Sequence, residues 1–422
     1  MSEAVIFLLM VGIFAFLAMG LKLPIGISLA LSALAGAFLG GEGLALRHLV
    51  EGSFGYFETI LIILSAMIFM KVLQASGILD SITAFLLKTF DRKKLTLLLT
   101  VMVLIMFPGM ITGSSTTAVL STGVLVAPVM MRLGLSRVKT AALIAMGAIC
   151  GMIAPPVNIL VMIMGAGVDM PYMGLTLPLL IIVVPLAFII SLWLGYKDIK
   201  TIGYAEMKSI LPESVFSVYG YRLYIPLFIV LALMLSQSFL VEIIPDIGIP
   251  AIFLLGSCVG LFCGRPFNLI KITQDALREA MPILSILVGV GMFIQIMTLT
   301  GARGWVVISF LSLPPILLYC GIGISMPLFG AVSAYGSASI LGVPFILALI
   351  NKNAIITASA LSAIAGLGDL MPPTALAGMF AAQVVGEKNY FKVLRLCIVP
   401  ALFELMAGIG VLLLAPILDK II

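Results

Sequence analysis

Apolar windows fall at about 4–20, 24–40, 56–76, 95–131, 140–168 and 174–195. A second set falls at about 222–240, 248–264, 279–299, 306–350, 355–386 and 395–416. Most have the length at which a helix, rising 1.5 Å per residue, crosses ~30 Å of hydrocarbon. The two sets run in the same order of lengths. Residues 196–221 are polar and lack a long apolar run. They read as a cytoplasmic linker between two repeats, 1–195 and 222–422.

Two windows, 95–131 and 306–350, are too long for one crossing. Each is interrupted by small residues, ITGSSTT at 111–117 and FGAVSAYGSAS at 329–339. Gly and Ser clusters break helices, and irregular backbone at membrane depth persists only within protein or along a wet cavity. Both windows are predicted to be re-entrant hairpins that enter and leave on one side. Each half then has five crossings, and an odd number inverts the second half relative to the first.

The windows 140–168 and 355–386 carry matching breaks. GAICGMIAPPVN (147–158) and IAGLGDLMPPTA (364–375) place Pro155-Pro156 and Pro372-Pro373 217 residues apart. Gly151 matches Gly368 and Gly113 matches Gly330 at that offset, while GAFLGG at 36–41 echoes GLFCG at 260–264. Proline removes a backbone donor and disfavours helix in the preceding residue. Two broken helices in corresponding halves point to the substrate and ion site of a secondary transporter. The predicted fold class is therefore an all-α polytopic membrane protein of two inverted-topology repeats, each with a re-entrant hairpin and a Pro-Pro-broken helix.

Composition agrees. The chain is 62% hydrophobic and 10% charged, with mean hydropathy +1.29, more apolar surface than a soluble domain can hide. The five cysteines lie in apolar segments without ligand spacing and read as small buried hydrophobes. Met1-Ser2-Glu3 lacks the basic leader of a cleavable signal peptide. The formal charge of +5 does not point to nucleic acid, because the basic residues sit between spans.

With the first hairpin opening to the cytoplasm, 18 Lys and Arg fall inside, among them Lys88, Arg92, Lys93, Lys94, Lys200 and Lys208. Four, Arg47, Arg303, Lys352 and Lys420, fall outside. That positive-inside bias puts both termini outside. The external loop 241–247, with Glu242 and Asp246 and no base, fits. Trp305 and Tyr172 are expected at the outer interface, and Trp193, Tyr196 and Tyr224 at the inner one.

A hairpin tip beside a broken helix offers helix N-termini with unpaired N–H groups, and unwound carbonyls and hydroxyls that suit a hard cation. Candidate cation ligands are Thr112, Gly113, Ser114 and Gly151 in the first half, and Gly330, Ser333, Gly368 and Asp369 in the second. Candidate substrate contacts are Ser115, Thr116, Asn158, Ser337 and Thr374. The plainer alternative is that these small residues merely allow close helix packing. Asp369, three residues before Pro372, is the most unusual charge, because a midplane carboxylate is costly. Its register partner is Met152, so the acid is not needed for the fold. It is expected to bind a cation, to carry a proton, or to pair with backbone donors. Glu58 is expected to reach water and Lys71 to snorkel, and Glu404 is read as structural.

The run GLGDLMPPTAL (366–376) invites a rival reading as an intramembrane aspartyl protease. Such an enzyme needs a second, facing aspartate, and Asp80 near a span end does not supply one. No HExxH, GxSxG or Walker sequence occurs, so the chain is expected not to be an enzyme.

The runs ITGSSTTAVLSTGVLVAPVMMRLG (111–134), AALIAMGAICGMIAPPVNILV (141–161) and FLAMGLKLPIGISLALSALAGAFLGG (16–41) resemble the large membrane subunit of TRAP transporters, the DctM type of the ion-transporter superfamily. Length and order agree across nearly the whole chain. The second half matches mainly through its Pro-Pro helix. The resemblance implies an elevator mechanism and sodium (Na+) as coupling ion. It further implies organic acids delivered by a periplasmic binding protein, a small membrane subunit as partner, and a bacterial inner membrane. Departures are Ala118 where an acid often follows the first tip, Thr374 in place of Val-Gly, the added Asp369 and an unusual second hairpin. Within this frame the expectation is a sodium-coupled importer of organic anions. A proton-coupled carrier that uses Asp369 without a binding protein is the alternative.

Overall fold

The computed structural model describes residues 1–89, 93–199, 212–239 and 247–420. Arg92, Lys200, Lys208, Glu242, Asp246 and linker residues 200–211 lie outside the described residues. Those described form helices and turns, with no strand among them. The first half runs α1 (Glu3–Ala15), α2 (Ile25–Gly40), α3 (Leu46–Ser53), α4 (Phe57–Ala75) and α5 (Ile78–Thr89). It continues with α6 (Lys94–Thr112), α7 (115–132), α8 (Arg137–Ile153), α9 (Ile159–Ala166) and α10 (Thr176–Gly195). The second half runs α11 (Ile225–Phe239), α12 (Ile249–Gly260), α13 (Leu269–Leu299), α14 (Ala302–Leu311) and α15 (Pro315–Gly330). It ends with α16 (334–348), α17 (Ala354–Gly366), α18 (Leu376–Val384) and α19 (Tyr390–Leu418). Among the described residues, eight helices or helix runs are long and apolar enough to cross a membrane.

From the hairpin onward the same order of elements occurs in both halves. In each half a two-helix hairpin (α6–α7, α15–α16) precedes an interrupted helix (α8–α9, α17–α18) and a long closing helix. The second arm of each hairpin starts on a capping serine and contains one π-helical turn, Val119–Gly123 or Ala338–Gly342. α8 has 17 residues and α9 has 8, roughly 26 and 12 Å long, so neither crosses the hydrocarbon alone.

Packing separates two bundles. α13 lies against α2, α3 and α4, and α12 against α4 and α11. α8 lies against α6, α10, α18 and α19, and α17 against α19 and α15. Hairpins, broken helices and closing helices therefore form one body and the earlier spans form the other, with α14 packed between α16 of the first and α1 and α13 of the second.

Three expectations shift. The second hairpin starts at Pro315, not near 306, because residues 302–311 form the separate helix α14. The stop between them is Ser312-Leu313-Pro314, whose Leu and Pro barely lower the hydropathy. Helix α13 begins at Leu269, ten residues before its apolar window, where the Asn268 side chain accepts the Lys271 N–H at 3.1 Å; side-chain capping overrides polarity there. Lys71 does not snorkel to water. Its ammonium lies 2.6 Å from the Glu279 carboxylate, each side chain 25% exposed.

Candidate cation and substrate site

The first hairpin reverses at Gly113, whose φ of +63° suits a residue without Cβ. A Cβ there would stand 2.5 Å from Ile159 Cγ1, so the tip is pressed onto the start of α9. Ser114 is extended, and its hydroxyl accepts the Thr117 N–H at 3.3 Å, which starts α7. Ser333 does the same for α16, accepting from Gly336 N–H at 3.0 Å. The two tips meet, because the buried Tyr335 hydroxyl donates to the Gly113 carbonyl at 3.2 Å.

Each break is tied to the hairpin of its own half. Both Pro-Pro bonds are cis. Val157 N–H donates to Met110 O at 3.1 Å, and Thr374 N–H donates to Ala331 O at 3.3 Å. In the second half the Thr374 hydroxyl adds a bond to that carbonyl at 2.9 Å. Backbones also cross closely. A Cβ on Gly109 would stand 2.9 Å from the Gly151 carbonyl carbon, and one on Gly330 would stand 2.8 Å from Gly368 Cα. The structural counterpart of Gly330 is therefore Gly109, not the Gly113 that matches it by sequence offset. The second break is the more open: Met371, Pro372 and Pro373 are exposed, whereas Ala154 and Pro155 are buried.

Asp369, 4% exposed, sits in the 3-10 turn Leu367–Leu370 that ends α17, and the Ser115 hydroxyl of the other half donates to its carboxylate. This joins the first hairpin to the second broken helix. The surrounding donors are oxygens. The Gly113, Gly151 and Gly368 carbonyls each accept one hydrogen bond and keep a further lone pair, whereas the Ala331 carbonyl accepts two, both from Thr374. Hydroxyls of Ser114, Ser115 and Thr374 lie in the same tips and breaks. The N-termini of α7 and α16 bring partial positive charge, and the C-terminal ends of α8 and α17 bring partial negative charge.

Other candidates are bound into the scaffold of the site. Thr112 donates to Pro108 O at 2.7 Å and Ser337 to Met326 O at 2.7 Å. Asn158 is spent on structure: Oδ1 accepts from Val161 N–H at 3.0 Å, while Nδ2 donates to Ile153 O at 2.8 Å and Ser362 Oγ at 3.0 Å. Thr116 is half-buried.

Sequence reading passed over several participants. Tyr172 is half-buried, and its hydroxyl accepts from Asn158 N–H at 2.7 Å and donates to Pro156 O at 3.0 Å. Tyr390 likewise donates to Leu370 O beside the second break. Thr117 donates to Glu279 at 3.1 Å, which links the first hairpin to the Lys71–Glu279 pair. The signal for that pair was a lysine within a span, which requires an acid nearby.

The family described as "Tripartite ATP-independent periplasmic transporter, DctM component" matches residues 10–418. The chain belongs to this DctM family. It is thus a multi-pass membrane protein and a large subunit of TRAP-type secondary transporters, not an enzyme, and the protease reading falls. The DctM family implies a small-molecule substrate, a small membrane subunit and a periplasmic binding protein. No curated protein matches the chain. The solved structures that are similar include two transporters. The YdaH transporter of Alcanivorax borkumensis, whose topology is called unusual, aligns with TM-score 0.60 and 16% identity over 88% of this chain and 89% of that one. MtrF of Neisseria gonorrhoeae, placed in a class of antimetabolite efflux pumps, aligns with TM-score 0.57 and 14% identity over 87% and 83%. At those identities the likeness concerns the fold alone.

Proposed function

We propose that this DctM subunit imports organic anions, carboxylates, in symport with sodium. The two halves are read as inverted repeats with both termini periplasmic. The bundle of hairpins and broken helices moves as an elevator against the other spans. The observation that carries the reading is the Ser115–Asp369 contact, a buried carboxylate where the first hairpin meets the second break. A buried carboxylate among hydroxyls and unwound carbonyls suits a desolvated hard cation. Asp369, Ser333, Gly330 and Gly368 are assigned to one cation, and Thr112, Gly113, Ser114 and Gly151 to another. The substrate carboxylate is assigned to the N-terminal ends of α7 and α16, near Ser115, Thr116 and Ser337, with access past Thr374 at the exposed second break. Asn158 is assigned to shaping that site.

The second reading, proton coupling through Asp369, rests on the same burial. Both are tested by uptake in proteoliposomes holding the small subunit and supplied with substrate-loaded binding protein. Sodium coupling requires gradient-dependent uptake and, in Asp369→Asn, a strong loss of apparent sodium affinity. Uptake driven by protons alone, with pH dependence abolished by Asp369→Asn, selects the second reading. Unaltered uptake in that variant refutes the site.

A further inference from the structure

We infer that Glu404 is a proton-binding site inside the bundle of hairpins and broken helices, separate from Asp369 and independent of the sodium reading above. Glu404 lies fourteen residues from each end of α19, roughly 21 Å along the axis. It is 0% exposed, and among the described residues neither carboxyl oxygen has a hydrogen-bond partner. The seam around it is closed on each side. Seven residues earlier, Cys397 Sγ contacts Ala142 O of α8 at 4.0 Å. Four residues later, a Cβ on Gly408 would stand 2.6 Å from Ile364 Cγ1 and 3.1 Å from Ala360 O of α17. Neighbouring Leu405 faces Gly323 of α15, and Phe403 faces Trp193 of α10 at 6.4 Å between ring centroids.

Among the described residues, no ion pair involves the Glu404 carboxyl; Lys392 and Arg395 lie on α19 itself nine or more residues away, and Lys352 bonds the Leu412 carbonyl eight residues further along. The titratable groups on the helices packed against α19 are Arg137, Lys139 and Cys150 on α8, Asp369 after α17, and Tyr319 and Cys320 on α15. Lys139 is paired with Asp198. The Cys150 thiol interacts with Glu404, and a thiol brings no positive charge. An isolated carboxylate in such a place costs far more than the neutral acid, which therefore forms by taking up a proton. The ligand of this site is that proton. It travels with the bundle, and it leaves only when the α8–α17–α19 seam admits water.

Two measurements on the reconstituted subunit test this. The first is infrared difference spectroscopy at neutral pH between wild type and Glu404→Gln. The expected difference is the loss of one protonated-carboxyl stretching band, with Asp369→Asn leaving that band in place. Loss of carboxylate bands instead means an ionised, cation-paired Glu404 and overturns the inference, as does an unchanged spectrum. The second needs no spectroscopic assignment and compares thermal unfolding with pH. An acid kept protonated when folded and ionised when unfolded stabilises the fold at low pH, and that contribution is lost as pH rises. Wild type is expected to lose more stability than Glu404→Gln between pH 5 and 9. Parallel curves overturn the inference. Should Gln not fold, Glu404→Leu, which needs no hydrogen bond, takes its place in both measurements.

Discussion

The Ser115 hydroxyl donates to the Asp369 carboxylate across 254 residues of chain, and Asp369 is buried beneath it. One bond therefore ties the first hairpin to the second broken helix. Ser115→Ala removes the donor and leaves a buried carboxylate short of a partner, a loss of about 1–3 kcal/mol. Asp369→Asn keeps the shape and removes the charge. Thermal unfolding of both variants and of the double variant is expected to be non-additive, with the double variant little worse than Ser115→Ala alone. Additive losses would show that the two side chains act separately.

The Lys71–Glu279 pair sits at the seam between the bundles. α4 and α13 supply the ions, and Thr117 of the first hairpin donates to Glu279 at 3.1 Å. On the proposed elevator reading, sliding of one bundle past the other would break the Thr117 bond while the ion pair stays within its own bundle. Lys71→Ala leaves Glu279 three-quarters buried without its cation. The expected loss of stability lies between the ~1 kcal/mol of exposed pairs and the ~3–5 kcal/mol of buried ones. Thr117→Val, by contrast, is expected to change uptake rate more than melting temperature. A Lys71→Glu/Glu279→Lys swap should recover part of the stability lost in either single reversal.

Much of this fold was legible because membrane helices announce themselves by length and apolarity, and because Pro-Pro cannot continue a helix. The breaks at Pro155-Pro156 and Pro372-Pro373 came straight from those rules, and the small-residue runs 111–117 and 329–339 marked where the hairpins turn. Helices α5 and α14 were missed because amphipathic or short segments blend into flanking loops or apolar runs. At the site, residue type exposed Asp369 and the serines. It could not expose Tyr335, Tyr172 or Ser362, whose roles depend on which segments meet across more than two hundred residues or on the path of one loop. The pairing of Gly330 with Gly113 by offset failed because the hairpins keep a different register from the breaks.

Tyr335 joins the two tips through its bond to the Gly113 carbonyl at 3.2 Å. Tyr335→Phe keeps the ring packed and deletes only the hydroxyl. A neutral hydrogen bond of this kind contributes about 0.5–1.5 kcal/mol. Melting temperature should fall slightly, while uptake falls further if tip contact holds the cation oxygens in place. Equal uptake by the variant and wild type would separate tip contact from transport.

The crossing of Gly330 and Gly368 is the tightest constraint beside Asp369. A Cβ on Gly368 would stand 2.5 Å from Gly330 Cα and 2.6 Å from its carbonyl oxygen, both backbone atoms that cannot rotate away. Gly368→Ala must therefore push α15 and the 3-10 turn apart, which displaces Asp369, the next residue, from Ser115. Overpacking of this kind costs about 1–3 kcal/mol, and the displaced carboxylate adds a functional loss that stability alone does not predict. Gly12→Ala is the control, because a Cβ there meets nothing within 4 Å and α1 continues through it. Uptake by Gly12→Ala is expected at the wild-type rate, and Gly368→Ala should bind sodium weakly even where it remains folded. Normal sodium affinity in a folded Gly368→Ala protein would mean that the second break does not position the carboxylate for the cation.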